Sequence, residues 1–308
     1  CKLLYNSTAR CSRLVEEVPR CDNACFRGPI QRGGMRQRGT AKHRHRTPWG
    51  SHHETTLNYV ENYDFISGQF IWTGFDYIGE PTPYGWPARS SYFGIVDLAG
   101  FPKDVYYLYQ SVWTEQDVLH LFPHWNWEIG EEIDLWAYYN NADEVELFVN
   151  GKSQGVKSKE DGQYHVVWRV KYEPGTIKAV SRKDGKTVKE QVINTAGDPY
   201  QIRLTADRKI IEADGTDLSF ITVEILDKDG NLCPNAENLV NFEIEGPAFI
   251  AGVDNGSPIS MERFKANHRK AFYGKCLVVV QNQGKEGGAR VIAKSEGLKD
   301  GYVTLRIK

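Results

Sequence analysis

From about Asp117 onward, apolar and polar residues alternate with the period of two expected of half-buried strands. Ile133, Leu135, Ala137 and Tyr139 share one face, as do Ile221, Val223 and Ile225, and again Val303, Leu305 and Ile307. Asn-Gly or Asp-Gly pairs at 150, 161, 184, 214, 229, 255 and 300 punctuate this region with the turn chemistry of tight hairpins. The pattern predicts a mainly β protein. A break near Ala196-Gly197-Asp198-Pro199 divides the strands into 119–197 and 198–308, each close to the ~100 residues of an immunoglobulin-like sandwich. Cys233 and Cys276 are the thiols of this region, and without a Cys-Trp-Cys spacing they imply no disulfide framework.

The preceding stretch, 47–118, reads differently. Ser51-x-x-Glu54 has the spacing of a capping box, and Leu57, Tyr59, Val60 and Tyr63 follow at helical intervals, predicting a helix to about Asp64. Phe65 to Phe75, apolar and aromatic through Phe70, Ile71 and Trp72, reads as a continuous run of the sort found in strands buried on both faces. A Gly- and Pro-rich loop runs from Asp76 to Pro102, and helical spacing resumes at Asp104 and continues as far as Trp113. Helix, strand, long loop and helix are expected in that order.

Composition separates off the first 46 residues. They hold eleven Lys or Arg against three acids, a surplus of 11 − 3 = +8, whereas the whole 308-residue chain has a net charge of −2. Four of the six cysteines (Cys1, Cys11, Cys21, Cys25) fall there, with few aliphatic residues to form an apolar face. This basic, Cys-containing leader reads as a solvated, disordered tail. A zinc knuckle would need tighter pairing than Cys21-x-x-x-Cys25 with His43 and His45 far downstream. A basic arm for nucleic acid lacks interleaved aromatics. A reading-frame error upstream of Pro48 is the remaining alternative, because the composition changes abruptly there. With 40% hydrophobic and 25% charged residues overall, wholesale disorder and a highly basic nucleic-acid binder are disfavoured. No run approaches the ~20 apolar residues of a membrane span. No phosphate loop, Ser/His/Asp motif or redox Cys pair is visible, and His52-His53-Glu54 lacks the second histidine of a zinc-protease helix, so no cofactor is implied.

The loop after Phe75 carries the candidate chemistry: Asp76, Tyr77, Glu80, Tyr84, Trp86 and Arg89, with Trp72 just ahead of it. Aromatic plates beside carboxylates and a guanidinium suit a sugar, whose C–H faces pack on rings while its hydroxyls hydrogen-bond to charged groups. The competing reading is structural: Trp72 and Phe75 fill core, and Asp76 and Arg89 brace the loop as an ion pair.

The run Phe70-Ile71-Trp72-Thr73-Gly74-Phe75-Asp76-Tyr77-Ile78-Gly79-Glu80-Pro81-Thr82-Pro83-Tyr84, followed by Ser90-Ser91-Tyr92-Phe93-Gly94-Ile95-Val96-Asp97, closely resembles the last strand and loop of the catalytic barrel in bacterial β-galactosidases of glycoside hydrolase family 2. Val145-Glu146-Leu147-Phe148-Val149-Asn150-Gly151 is similar to the β-rich modules that trail the barrel, so the resemblance covers about Pro48 to Lys308. It implies a C-terminal remnant of a (β/α)8 barrel over 47–118, followed by two immunoglobulin-like sandwiches. It also implies retaining hydrolysis of a terminal β-galactoside by two glutamates about 5 to 5.5 Å apart. Trp72 falls on the family position that walls the terminal sugar, Asp76 also lies on the motif, and Glu80, Trp86 and Arg89 would shape the pocket rim.

Neither catalytic glutamate is located; Glu16 and Glu17 match no nucleophile motif and read as solvated acids. Pro48 to Val118 supplies one strand and helix pair where a complete barrel needs ~250 residues and eight pairs. The rest of the barrel is therefore expected to be missing, the remnant poorly ordered or packed on the first sandwich, and the chain inactive alone. Asn150-Gly151-Lys152 is a hairpin turn and carries no weight toward the Asn-x-Lys signature of glucuronidases. A glycan-binding or structural module, with Trp125 and Trp127 as exposed candidates and Trp136 as core, is the alternative. A periplasmic or secreted location follows by analogy with glycan-degrading relatives.

Overall fold

The computed structural model describes residues 51–82 and 84–308. The expectations for the leader, including Glu16, Glu17 and the cysteine and histidine spacings, lie outside the described residues. Among the described residues, two helices, α1 (His53–Asn62) and α2 (Asp104–Trp113), precede sixteen strands.

The first strands are β1 (Leu119–Phe122), β2 (Glu132–Tyr139), β3 (Glu144–Val149), β4 (Lys152–Lys157), β5 (His165–Lys171), β6 (Thr176–Lys183) and β7 (Lys186–Asn194). They form two antiparallel sheets, β1-β2-β5 and β4-β3-β6-β7. Alternate residues from both sheets meet in one core that includes Ile133, Leu135, Ala137, Tyr139, Leu147 and Ile177, so the alternation read from the sequence sets the inner face. The β3–β4 and β6–β7 hairpins turn through Asn150-Gly151 and Asp184-Gly185, all four residues with positive φ. Those pairs are the two-residue turns whose twist suits a hairpin.

After a short connection, β8 (Gln201–Ala206), β9 (Ile210–Ile211), β10 (Leu218–Leu226), β11 (Leu239–Glu245), β12 (Ala248–Asp254), β13 (His268–Lys270), β14 (Lys275–Asn282), β15 (Gly287–Lys294) and β16 (Gly301–Ile307) follow. They build a second pair of sheets, ordered β12-β14-β10-β8 and β13-β11-β15-β16-β9, with β9 joined in parallel to β16. Ile221, Val223 and Ile225 from one sheet and Val303, Leu305 and Ile307 from the other share its core. Cys233 and Cys276 are buried in that core and form no disulfide.

The stretch ahead of the sheets departs from expectation in two ways and meets it in a third. Helix α1 starts at His53 after an extended His52, with no side-chain cap, because Glu54 is drawn elsewhere: its Oε1 lies 2.6 Å from His165 Nδ1 on β5. The residues from Phe65 to Phe75 form no buried strand. They pair only along one edge, where Thr73 N–H donates to Phe93 O at 2.9 Å and Val96 N–H donates to Gly74 O at 3.0 Å. Phe65, Phe70 and Phe75 are exposed, Phe70 to 86%. An apolar strand needs neighbours on its edges and faces, and among the described residues none lies on the other side. Lastly, α2 spans Asp104–Trp113 as predicted, and together with Leu57 of α1 it packs against Tyr138 and Tyr164 of the first sheet pair.

Tyr138 belongs to the second face of β2. Every residue of that strand after Glu132 is buried, with Ile133, Leu135, Ala137 and Tyr139 turned to the sheet core and Trp136 and Tyr138 turned away from it. Trp136 therefore does not fill the core between the sheets; its ring lies 4.2 Å from that of His165. Trp125, expected at the surface, is fully buried in that core, packs edge-on against Tyr172 and donates from Nε1 to Glu173 O at 3.1 Å. Trp127 is partly buried beside it.

Candidate functional site

The segment from Trp72 to Lys103 is ordered by its own backbone and by two buried carboxylates. Gly79 N–H donates to Arg89 O at 2.8 Å and Ser91 N–H donates to Tyr77 O at 2.8 Å, closing an antiparallel hairpin over 77–91. Gly94 lies against the backbone of 75–76 so closely that a Cβ there would stand 2.1 Å from Asp76 N. Only glycine permits that approach.

Asp76 lies beneath the hairpin rather than in a cleft. It is buried, its Oδ2 pairs with Lys103 Nζ at 2.7 Å, and its Oδ1 accepts Gly94 N–H at 2.8 Å. Burial pushes its carboxyl above the ordinary range, while Lys103 and the Gly94 N–H pull it back down. The bracing role expected of Asp76 is thus real, but its partner is Lys103, not Arg89. A second buried carboxylate, Asp97, accepts the N–H groups of Ala99 and Phe101, each at 2.9 Å.

Trp72 is half exposed, at 48%, and its peptide bond to Thr73 is cis. Its Nε1–H donates to Tyr77 Oη at 3.3 Å, and Tyr77 Oη donates in turn to Glu80 Oε2. The tyrosine ring stands edge-on to the indole, the centroids 6.3 Å apart. Glu80 sits at φ 47 at the edge of the hairpin. The indole plate and the carboxylate are thereby held in one hydrogen-bonded chain, a surface able to offer a sugar both a C–H-stacking face and an acceptor. The rings of Tyr84 and Tyr92 meet at a tilt with centroids 4.4 Å apart, and burial raises both phenols, Tyr92 the further.

The other two predicted residues point elsewhere. Trp86 is 77% exposed in the loop of the hairpin. Arg89 turns toward the second sheet pair: its N–H donates to Pro258 O at 3.0 Å, and its guanidinium stands 5.4 Å from the centroid of the Phe264 ring. Lys103, Tyr77 and Asp97 were not singled out as bracing residues from the sequence. Only the isolation of Lys103, the one Lys or Arg between Arg89 and Lys152, could have flagged a buried cation. A shallow cavity of about 640 Å³, lined by Lys209, Glu286, Arg306 and Lys308 among others, lies at the β9–β16 edge and includes none of the five predicted residues. Among the described residues no group of three or more His, Cys, Asp or Glu is placed to hold a metal ion, and no helix is long and apolar enough to cross a membrane.

Residues 202–304 match the family model described as glycoside hydrolase family 2 C-terminal domain 5, and 130–189 match a domain of unknown function (DUF4982). Over 258 residues the chain is 69% identical to a β-galactosidase of Bacteroides ovatus, a match that takes in 84% of this chain and 30% of that protein. The chain belongs to glycoside hydrolase family 2. A protein named putative β-glucuronidase from Formosa agariphila is 41% identical over 218 residues, which are 68% of this chain and 21% of its own length. Among solved structures, a β-glycosidase from Bacteroides vulgatus superposes with a TM-score of 0.78 at 34% identity, covering 83% of this chain and 33% of that one. A family 2 glycosyl hydrolase from Bacteroides cellulosilyticus gives 0.76 at 35% identity, covering 83% of this chain and 38% of its own. The chain thus spans between about a fifth and two fifths of the length of these relatives, as a C-terminal portion of a family 2 enzyme.

Proposed function

We propose that the chain is the C-terminal part of a retaining β-galactosidase. In this reading 47–118 is the closing piece of a (β/α)8 barrel, and 119–197 and 198–308 are immunoglobulin-like sandwiches. The observation that carries the reading is the likeness to the Bacteroides ovatus β-galactosidase, which runs through the Trp72 loop and both sheet pairs. The exposed aromatics from Tyr59 to Phe75 support it. An apolar face of that kind is ordinarily covered, and the remaining strands of a barrel are the cover this segment is built to meet.

Within the whole enzyme, Trp72 forms a wall for the terminal sugar, with Glu80 held toward the same space through Tyr77, and Trp86 stands at the rim. Asp76 and Arg89 keep the loop in shape. The nucleophile and the acid/base are contributed by barrel strands other than this one, one attacking the anomeric carbon and one protonating the leaving oxygen before activating water. A substrate released from glycans outside the cytoplasm, in the periplasm or beyond the cell, fits the analogy with glycan-degrading relatives. Exposed tryptophans that would make 119–308 a separate glycan-binding module lack support, since Trp125 and Trp136 are buried.

The test is to assay chromogenic β-galactosides and β-glucuronides with the 308-residue chain and with the same chain preceded by a complete family 2 barrel. Galactoside hydrolysis by the longer form alone, weakened by Trp72→Ala, is the expected result. Turnover by the short chain, or a preference for the glucuronide, would overturn the proposal.

A further inference from the structure

The second sheet pair meets the run 89–97, which is the end of the hairpin's second strand and the chain that follows it, at both of its ends. At one end, Arg89 donates its backbone N–H to Pro258 and lays its guanidinium by Phe264. Phe264 is approached by a second guanidinium, that of Arg269, also 5.4 Å from the ring centroid. Arg269 is fully buried, and its Nη2 donates to Asp254 Oδ1 at 3.0 Å, so this side of the contact is anchored in β12 and β13. At the other end, Gly256 packs on the Asp97 carboxylate. A Cβ there would stand 2.2 Å from Asp97 Oδ2, and φ at Gly256 is +71°. Asp97 cannot swing aside without giving up the Ala99 and Phe101 amides it binds. Beyond it, Phe101 and Ala99 pack on Leu277 and Val279, on the outer face of β14.

We propose that the 254–264 segment is the footing that positions the hairpin 77–91, and with it Glu80 and Trp86, so that the last sheet pair is a working part of the sugar site and not a trailing module. The hairpin has few apolar contacts of its own, with Ile78 and Trp86 exposed. Short two-stranded hairpins are marginal in isolation. Grip at Arg89 and at Asp97 fixes the second strand of the hairpin and the chain that follows it, and the loop with Glu80 and Trp86 projects from that fixed strand. Pro258, Phe264 and Gly256 act on the sugar-facing side chains through the backbone, as positioning residues. The sugar role rests on the function proposed above; the mechanical role does not.

Hydrogen exchange on the 308-residue chain tests the mechanical role. In Gly256→Ala and Phe264→Ala, the amides of Gly79, Arg89 and Ser91 are expected to exchange at least about tenfold faster, while those of β10 and β14 keep their protection. Phe264→Tyr, which keeps the ring, restores the slow exchange. Hairpin amides unchanged in both variants would show that the hairpin holds itself. Acceleration spread equally over β10 and β14 would show a general stabilising role. Either result overturns the proposal. In the longer enzyme the same variants are expected to raise KM for the galactoside with a smaller change in kcat. If the wild-type longer enzyme does not turn over the galactoside, the sugar reading fails while the exchange result still decides the footing.

Discussion

Lys103 Nζ lies 2.7 Å from Asp76 Oδ2, and both side chains are nearly closed to solvent. The loop that carries Trp72 and Glu80 is thus fastened from below by an ion pair that has given up its water. Such pairs add little over apolar packing, yet removing one partner strands the other charge.

Lys103→Met is therefore expected to destabilise the protein by about 3–5 kcal/mol near neutral pH. The cost should shrink in acid. Asp76 already has a folded pKa above its ordinary value, so its contribution is greatest below that value and falls as pH rises through the raised one; loss of Lys103 raises it further. Urea unfolding at about pH 4 and about pH 7 checks this: the variant should lie closer to the wild type at the lower pH.

Gly94→Ala places a methyl within 2.4 Å of three backbone atoms, Asp76 N, Phe75 C and Val96 O. None of these can move without opening the pairing of 73–76 with 93–96. A loss of roughly 3 kcal/mol or more is expected, with protease cleavage within 72–97 as the local readout.

His124 stacks on Trp127 with centroids 4.6 Å apart, and its Nδ1 accepts the Asn126 N–H at 3.2 Å. Burial, opposed by the charge of Asp104, lowers its pKa from 6.5 to about 4. A histidine depressed in the fold binds fewer protons than in the unfolded chain, so stability should fall as pH drops through that window, by up to roughly 3 kcal/mol. His124→Gln should flatten this part of the profile in thermal melts between those two pH values.

Asn150 holds its turn with Oδ1 accepting Thr176 N–H at 2.8 Å and Nδ2 donating to Pro174 O at 3.2 Å, at φ 50. Asn150→Ala should cost about 1–2 kcal/mol. In the longer enzyme it should leave the ratio of galactoside to glucuronide turnover unchanged, since the Asn-Gly-Lys triplet is architecture. A shifted ratio would place this turn in substrate choice.

Strands whose two faces differ were readable from the chain alone: β10 and β16 alternate as written, and the turns at Asn150 and Asp184 are local chemistry. Helix α2 was equally plain. What failed was whatever depended on a distant partner. Phe65 to Phe75 has the residues of a buried strand, but burial needs neighbouring strands, and among the described residues none lies along one edge. Glu54 has the spacing of a cap and instead pairs with His165 across the fold. Trp136 was misplaced because one face of β2 looks into the sheets and the other toward the helices, and Trp125, which lies in no strand, is buried only by its packing in the sheet core, against Tyr172 among others. In the site, the link from Trp72 through Tyr77 to Glu80 was not foreseen, and the partner of Asp76 was misjudged because Arg89 and Lys103 both follow it in the chain and only packing selects between them.

Strand β2 is a party wall. Its Leu135 face belongs to one household and its Tyr138 face to another, so a seam cut between 118 and 119, natural as it looks on paper, would leave each side missing masonry. Recombination among relatives that exchanges the first sheet pair must carry the two helices with it, and a chimera joined at that seam inherits a mismatched surface on both sides of a single strand.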